Sequence, residues 1–239
     1  MKLGVSFMEQ EVTEIKKEAS SDFELVFADG SQVEAKTVIY AAGATPRRAN
    51  IPGEQEYAGK GVSYCAICDG SFYRGKSVAV LGGGDTALDD AVYLADVAEK
   101  VYVIHRRKEF RGAAVTVAKL REKENVIFVL EHQVKEIIGE QEVTGVVLED
   151  AAVIDVNGVF VAYGAVPQTD LLKKFAVLDD SGYVRVRGDR RNRSGRAVCG
   201  RRCKNKETAS GGNCGFGWCQ CSNRSGRIFE IEETERVLR

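Results

Sequence analysis

The sequence predicts an α/β fold, with a three-layer central domain that contains a parallel sheet and a small antiparallel sheet. A short apolar strand at 77–81 runs directly into a glycine loop at 82–84. A helical pattern then covers 86–98, and a second apolar strand follows at 101–104. This strand, loop, helix and strand, within about 30 residues, predict a Rossmann-like unit.

The flanking segments predict further sheet structure. Residues 23–27 alternate between apolar and polar, as expected for a strand of a hairpin, and an apolar run at 38–43 predicts a buried strand. A second helix is predicted at 113–124. Further strands are predicted at 126–130, 134–138, 143–148 and 159–164.

Changes in composition along the chain predict three parts. Pro46 and Pro52-Gly53 mark a linker before a central domain at 49–165, which lies between a first part at 1–48 and a third part at 166–239 whose pattern becomes atypical from about 190. Cys65 and Cys68 are the only cysteines before 199, whereas the other five lie between Cys199 and Cys221. We therefore treat the C-terminal segment separately.

Composition limits the possible partners and compartments. The net charge of -1 gives no electrostatic reason to expect nucleic acid or an anionic membrane as a partner. No apolar run approaches the roughly 18 residues of a membrane-spanning helix, and the N-terminus has no signal-peptide core. We therefore expect a cytoplasmic protein.

The glycine loop has the spacing of a dinucleotide site. In Gly82-x-Gly84-x-x-Ala87, the first glycine permits a tight turn, the second lets the backbone approach a pyrophosphate, and the alanine lets helix and strand pack closely. An ordinary glycine turn is the alternative, but the flanking strand and helix favour the binding site. The candidate cofactor-binding residues here are Gly82, Gly83, Gly84, Asp85, Thr86 and Ala87.

The cations after the next strand indicate which nicotinamide cofactor binds. NAD enzymes usually place an acid near this point, whereas this chain has His105, Arg106 and Arg107, with Arg111 close behind. Guanidinium groups match a phosphate dianion in charge and in geometry, so NADPH is favoured over NADH. A solvated basic turn is the alternative.

Two thiols precede the glycine loop. The Cys65-x-x-Cys68 spacing near a β-α-β pattern is typical of a redox-active disulfide, and Asp69 could donate or accept the proton that exchange requires. Zinc is the main alternative, but a structural site needs four ligands, and only His105 and His132 are available before 199. We expect no metal at this pair.

At these residues the chain resembles the low-molecular-weight thioredoxin reductases, in order and spacing, over about residues 10 to 185. The resemblance implies a homodimeric flavoenzyme that passes electrons from NADPH through FAD and a Cys65–Cys68 disulfide to thioredoxin or a thioredoxin-like protein. The matching segments are 41–44, 65–70, 82–87, 105–107, 110–111 and 161–164 together with Pro167.

The resemblance also assigns roles. It implies that Cys68 faces the flavin, Cys65 attacks the partner's disulfide, and Asp69 handles the proton. The NADPH residues would be those of the glycine loop together with His105, Arg106, Arg107, Arg111, Tyr163 and Gly164, whereas Ala42 and Gly43 would lie near FAD.

The chain departs from the family at both ends. No glycine phosphate loop for FAD precedes residue 82, so Met1 is expected to fall inside the FAD-binding domain, and Arg201 stands where the family has a short acid. We therefore expect this chain to bind NADPH but to hold FAD weakly or not at all.

The C-terminal segment suggests a frameshift. Codons for 199–203 read one base on can spell A-G-D-V-V, and those for 213–219 can spell T-A-V-S-D-G-A, both similar to family segments. We hypothesise that about 190 to 225 are translated out of frame. A zinc knuckle formed by the cysteines and a basic, nucleic-acid-binding tail are the alternatives.

Three functions remain open from the sequence. The first is a reductase of thioredoxin-reductase type, encoded by a truncated or damaged frame. The second is a pseudo-enzyme that binds NADPH without a flavin. The third is a related flavin disulfide reductase that serves a peroxidase.

Overall fold

The computed structural model describes residues 6–17, 22–185 and 198–199. These residues belong to two compact units. One is made of segments that end at Gly43 and begin again at Pro167, and the other is Ala44–Val166.

A five-stranded parallel sheet forms the centre of the Ala44–Val166 unit. Its strands are β6 Val62–Ser63, β7 Ser77–Leu81, β8 Lys100–His105, β9 Val126–Leu130 and β13 Gly158–Val161. They lie in the order β6, β13, β7, β8, β9, and every neighbouring pair is parallel. The crossovers needed between parallel strands include a helix after β7 and another after β8.

Helices cover one face of this sheet. They are α1 Ala66–Asp69, α2 Asp85–Ala95 and α3 Ala114–Arg121, and a 3₁₀ turn at Gly70–Tyr73 follows α1. Leu88, Leu94 and Leu120 are fully buried against Val80 and Val103 of the sheet. Each fully buried side chain of this size contributes about 1.5–3 kcal/mol to folding.

A small antiparallel sheet covers the other face. Its strands are β10 Val134–Gly139, β11 Val143–Leu148 and β12 Val153–Asp155. Ile137 and Val146 pack with Ala79 and Leu81, which lie on the opposite side of β7 from Val80. Because the strands of the parallel sheet are buried on both faces, they read as continuous apolar runs. The predicted three-layer α/β fold is confirmed.

The other unit contains a meander of three antiparallel strands, β1 Val12–Lys17, β2 Phe23–Phe27 and β3 Gln32–Ala35. Phe23 packs edge-to-face on Phe175, with ring centroids 6.1 Å apart. Another 3₁₀ turn lies at Asp170–Leu172.

The predicted buried strand at 38–43 is wrong. The strand there, β4, is only Ile39–Tyr40, and Ile39 is 72% exposed. Among the described residues its only strand partner is β15, Val198–Cys199, which lies parallel to it. Among the described residues, β15 covers one edge of β4, and only one of its two side chains, Tyr40, is half-buried.

Two short strands lie where the chain passes between the units. These are β5 Ala44–Pro46 and β14 Ala165–Pro167, which pair with each other.

Candidate functional site

Cys65 and Cys68 form a disulfide, with their Cα atoms 5.3 Å apart. Cys65 is the N-cap residue of α1, and its Sγ accepts a hydrogen bond from the Cys68 backbone N–H at 3.2 Å. Cys68 is exposed and Cys65 is half-buried. A sulfur that already accepts an N–H would be stabilised as a thiolate after reduction, because a charged acceptor strengthens the hydrogen bond.

Asp69, the predicted proton carrier, is the last residue of α1. Its Oδ2 accepts a hydrogen bond from the Ser63 hydroxyl at 2.6 Å, and the Ser63 oxygen accepts the Cys65 backbone N–H at 3.1 Å. Ser63 thus connects the first cysteine to the acid. Ser63 was not among the site residues predicted from the sequence. A serine two residues before a turn commonly accepts a local backbone N–H, and this tendency was the only available signal.

Glu54, a buried carboxylate that bonds to Tyr64 beside the disulfide, was also not predicted from the sequence. It accepts backbone N–H groups from Ala49 at 2.9 Å and Asn50 at 2.6 Å, and the Tyr64 hydroxyl donates to it at 2.9 Å. Burial, followed by the hydrogen bond to Glu54, raises the pKa of Tyr64 to about 12. Tyr64, which directly precedes Cys65, is therefore neutral and fixed in place.

The glycine loop shows the close packing that its spacing predicts. A Cβ at Gly82, whose φ is +148°, would lie 2.7 Å from the Ala162 carbonyl oxygen and 2.8 Å from the Ala87 Cβ. A Cβ at Gly84 would meet nothing within 4 Å. The loop is thus tight on the protein side and open at Gly84, the N-cap of α2, as a bound pyrophosphate requires.

The basic loop is tied to the glycine loop. The backbone N–H groups of Arg111 and Gly112 donate to the Gly83 carbonyl oxygen at 2.7 and 3.2 Å. The Asp85 carboxylate accepts the Ala113 N–H at 2.8 Å. These bonds keep the segment that carries the exposed side chains of Arg106, Arg107 and Arg111 next to the glycine loop.

His105 lies inside this arrangement. It is 7% exposed, it stacks on Phe110 with ring centroids 5.4 Å apart, and its Nε2 lies 3.2 Å from the Glu109 carbonyl oxygen. Burial lowers the pKa of His105, and the charges of Arg111, Arg106 and Arg107 lower it further. The ring is thus neutral at pH 7, so the arginines supply the positive charge of this loop.

Of the remaining candidates, Tyr163 and Gly164 lie after a strand and Thr86 lies at the start of a helix. Tyr163 follows β13 and is 41% exposed. Burial raises its pKa, and the positive charge of Arg106 opposes the shift. Gly164 has a φ of +93° and open space where a Cβ would be. Thr86 is exposed in the first turn of α2.

In the other unit, Ala42 and Gly43 are exposed. Gly43 has a φ of +74°, a backbone conformation that favours glycine, and nothing lies within 4 Å of an ideal Cβ.

Two further findings concern metals and membranes. In the part of the chain that the structure describes, no three His, Cys, Asp or Glu side chains are grouped so as to hold a metal ion. Within those residues, no helix has the length and apolarity needed to cross a membrane. The proposals about Arg201, Cys203, Cys214, Cys219 and Cys221, including the frameshift and the zinc knuckle, fall outside the described residues.

Comparisons with known proteins identify relatives over most of the chain. The pyridine nucleotide-disulphide oxidoreductase family matches residues 1–193. A thioredoxin reductase of Mycolicibacterium smegmatis is 42% identical over 160 residues, which are 65% of this chain and 51% of that protein. One from Helicobacter pylori is 47% identical over 135 residues, which are 56% of this chain and 43% of that protein.

Solved structures of thioredoxin reductases are also similar to this chain. The thioredoxin reductase of Giardia duodenalis superposes with a TM-score of 0.70 at 33% identity, covering 82% of this chain and 67% of that one. The chain spans about half the length of the curated relatives that it matches.

Proposed function

Because the chain belongs to the pyridine nucleotide-disulphide oxidoreductase family, we propose that it carries the NADPH site and the redox disulfide of a thioredoxin-disulfide reductase. The observation that carries this proposal is a disulfide, Cys65–Cys68, in the same compact unit as an open glycine loop clamped to an arginine loop. The similarity to thioredoxin reductases supports the reaction class.

The proposal gives each part of the chain a role. Residues 49–165 form the NADPH-binding domain with the dithiol, whereas 1–48 and 166–239 contribute to the FAD-binding domain. Gly82, Gly84 and Ala87 shape the pyrophosphate site, and Thr86, Tyr163 and Gly164 line its edges. Arg106, Arg107 and Arg111 bind the 2′-phosphate of NADPH, while Gly83, Asp85 and the buried His105 support that loop. FAD, which this chain is expected to hold weakly, would lie near Ala42 and Gly43 and would join hydride chemistry to disulfide chemistry when bound.

Electrons leave through the dithiol. The Cys65 thiolate attacks one sulfur of the partner's disulfide, that disulfide breaks, and the departing sulfur takes a proton. The Cys68 thiol then loses its proton and attacks Cys65 in the mixed disulfide, which releases the partner's second thiol and restores Cys65–Cys68. Asp69, hydrogen-bonded next to the pair, exchanges the protons. Two electrons and two protons reach the partner in each cycle.

Apolar exposure beside the disulfide favours a protein as electron acceptor. Ile67, between the two cysteines, is 60% exposed, and Phe72, in the following turn, is 72% exposed. Large exposed apolar side chains next to a reactive group are typical of a docking surface. We propose thioredoxin or a thioredoxin-like protein as the partner, and a homodimer in the cytoplasm as the working form.

The experiment that tests this function is trapping of the mixed disulfide. Reduced Cys68→Ser protein is mixed with oxidised thioredoxin, quenched with iodoacetamide and mapped by mass spectrometry. Thioredoxin attached to the peptide that contains Cys65 is the expected result. Mapping separates it from attachment to the five cysteines between 199 and 221. Attachment only to those five cysteines would exclude the proposed role, and attachment of a peroxidase component but not of thioredoxin would favour the peroxidase-serving alternative.

A further inference from the structure

Ser63 is a buried hydroxyl at the base of the disulfide. It is 5% exposed and is the last residue of β6, a strand that lies in parallel register with Phe160 of β13. A buried hydroxyl at a strand end has a fixed position, because both the sheet and the following turn constrain its backbone.

The hydrogen bonds of Ser63 fix the direction of its single proton. Its oxygen accepts the Cys65 N–H at 3.1 Å and lies 2.6 Å from Oδ2 of Asp69, but 3.4 Å from the Cys65 carbonyl oxygen. A hydroxyl has one proton to donate, and the shorter contact is the stronger one. The proton therefore points to Asp69, and Oδ2 is the acceptor.

This direction determines which oxygen of Asp69 carries a proton. As long as Ser63 donates to Oδ2, that oxygen is an acceptor, which leaves Oδ1 as the oxygen of the carboxyl group that can carry and donate a proton. The Asp69 backbone N–H donates to the Cys65 carbonyl oxygen at 3.1 Å, which fixes the other end of the same residue. The acid is thus held relative to Cys65 at two points.

We propose that Ser63 is a positioning residue for thiol–disulfide exchange, acting through Asp69. When a dithiol reductant attacks, its thiolate bonds to one sulfur, the Cys65–Cys68 bond breaks, and the electron pair stays on the departing sulfur. That sulfur receives the proton from Oδ1 of Asp69. Without the Ser63 hydroxyl, Asp69 rotates freely and both oxygens become equivalent.

The inference deepens the proposed function, but its test needs neither NADPH, FAD nor thioredoxin. The rate of reduction of Cys65–Cys68 by dithiothreitol is followed by alkylation and mass mapping of the full chain. Loss of a positioned acid costs about 100-fold or more in rate, so Asp69→Asn should fall by about that factor. Ser63→Ala should fall about tenfold, part of the same contribution.

A double-mutant cycle separates positioning from folding. Ser63→Ala should have no further effect in the Asp69→Asn background, because the group through which it acts is already gone. Ser71→Ala, at an exposed serine in the next turn, is the matched control and should reduce at the wild-type rate. Thermal melting shows whether each variant is folded.

Two results would overturn the proposal. One is a Ser63→Ala protein that is reduced as fast as wild type. The other is equal slowing by Ser63→Ala with and without Asp69, which would assign Ser63 a structural role only. Either result leaves the trapping of thioredoxin on Cys65 untouched, so the two proposals fail separately.

Discussion

Gly83 and Gly84 are neighbours, but the structure predicts opposite consequences for their replacement by alanine. A Cβ at Gly83 would lie 2.4, 2.5 and 2.6 Å from Cε1, Nδ1 and Cγ of His105. The ring cannot easily retreat, because Phe110 stacks on it and the Glu109 carbonyl oxygen lies near its Nε2. Normal carbon contacts begin at about 3.5 Å, so the ring or the loop must move by about 1 Å.

The expected cost of Gly83→Ala follows from this overlap. Overpacking in a well-filled interior typically costs about 1–3 kcal/mol. In a domain of 150–250 residues each kcal/mol lowers Tm by about 2–4 °C, so we expect a fall of about 2–12 °C. Differential scanning calorimetry at pH 8, where His105 is neutral, measures it. Melting at the wild-type temperature would refute the packing argument.

Gly84→Ala is the matched control. Its Cβ would enter open space, and its φ of −97° suits any residue. Tm should fall by at most about 2–4 °C, since alanine is a poorer N-cap than glycine by up to about 1 kcal/mol. NADPH affinity, measured by calorimetric titration, should fall about tenfold or more, because the methyl group occupies the space between the backbone and the pyrophosphate. Unchanged affinity would contradict the assignment of this loop.

Three further predictions concern the same unit. Replacing Arg106 and Arg107 together with Ala should weaken NADPH binding about 100-fold or more and leave NADH nearly unchanged in a titration, since charged hydrogen bonds contribute about 1.5–3 kcal/mol each; equal losses would refute the 2′-phosphate role. Asp85→Ala should weaken NADPH binding, whereas Asp85→Asn, which can still accept the Ala113 N–H, should not; loss in both would show that the charge matters more than the clamp. Burial raises the pKa of Asp90 to about 6, so the penalty on the folded state builds up between about pH 4 and pH 6 and is complete above that range. Asp90→Asn should therefore raise Tm at pH 7.5, with a gain that shrinks as the pH falls towards 4; a gain independent of pH would contradict this.

Much of the central unit could be predicted from the sequence because its signals are local. The apolar run at β7, the glycine spacing and the amphipathic α2 each specify their structure within a few residues. The tight approach of Gly82 to Ala87 follows from the same spacing. These features depend little on the rest of the chain.

The supporting hydrogen bonds could not be predicted in the same way. Ser63 meets Asp69, and Glu54 meets Tyr64, only because the chain turns back after β6 and after residue 50. Burial could also not be predicted at β4, where Ile39 of an apolar run is exposed and the described residues pair with only one edge of the strand. The roles of the individual cofactor-binding residues stay predictions.

We propose that two electrons pass from NADPH through Cys65–Cys68 to a protein disulfide. The most direct measurement is a thiol count on thioredoxin after incubation with the chain, FAD and NADPH, with NADPH followed at 340 nm. The account predicts two new thiols per NADPH consumed, with no thiols formed by Cys65→Ser or Cys68→Ser protein. Thiols formed at the wild-type rate by either variant, or NADPH consumed without them, would contradict it.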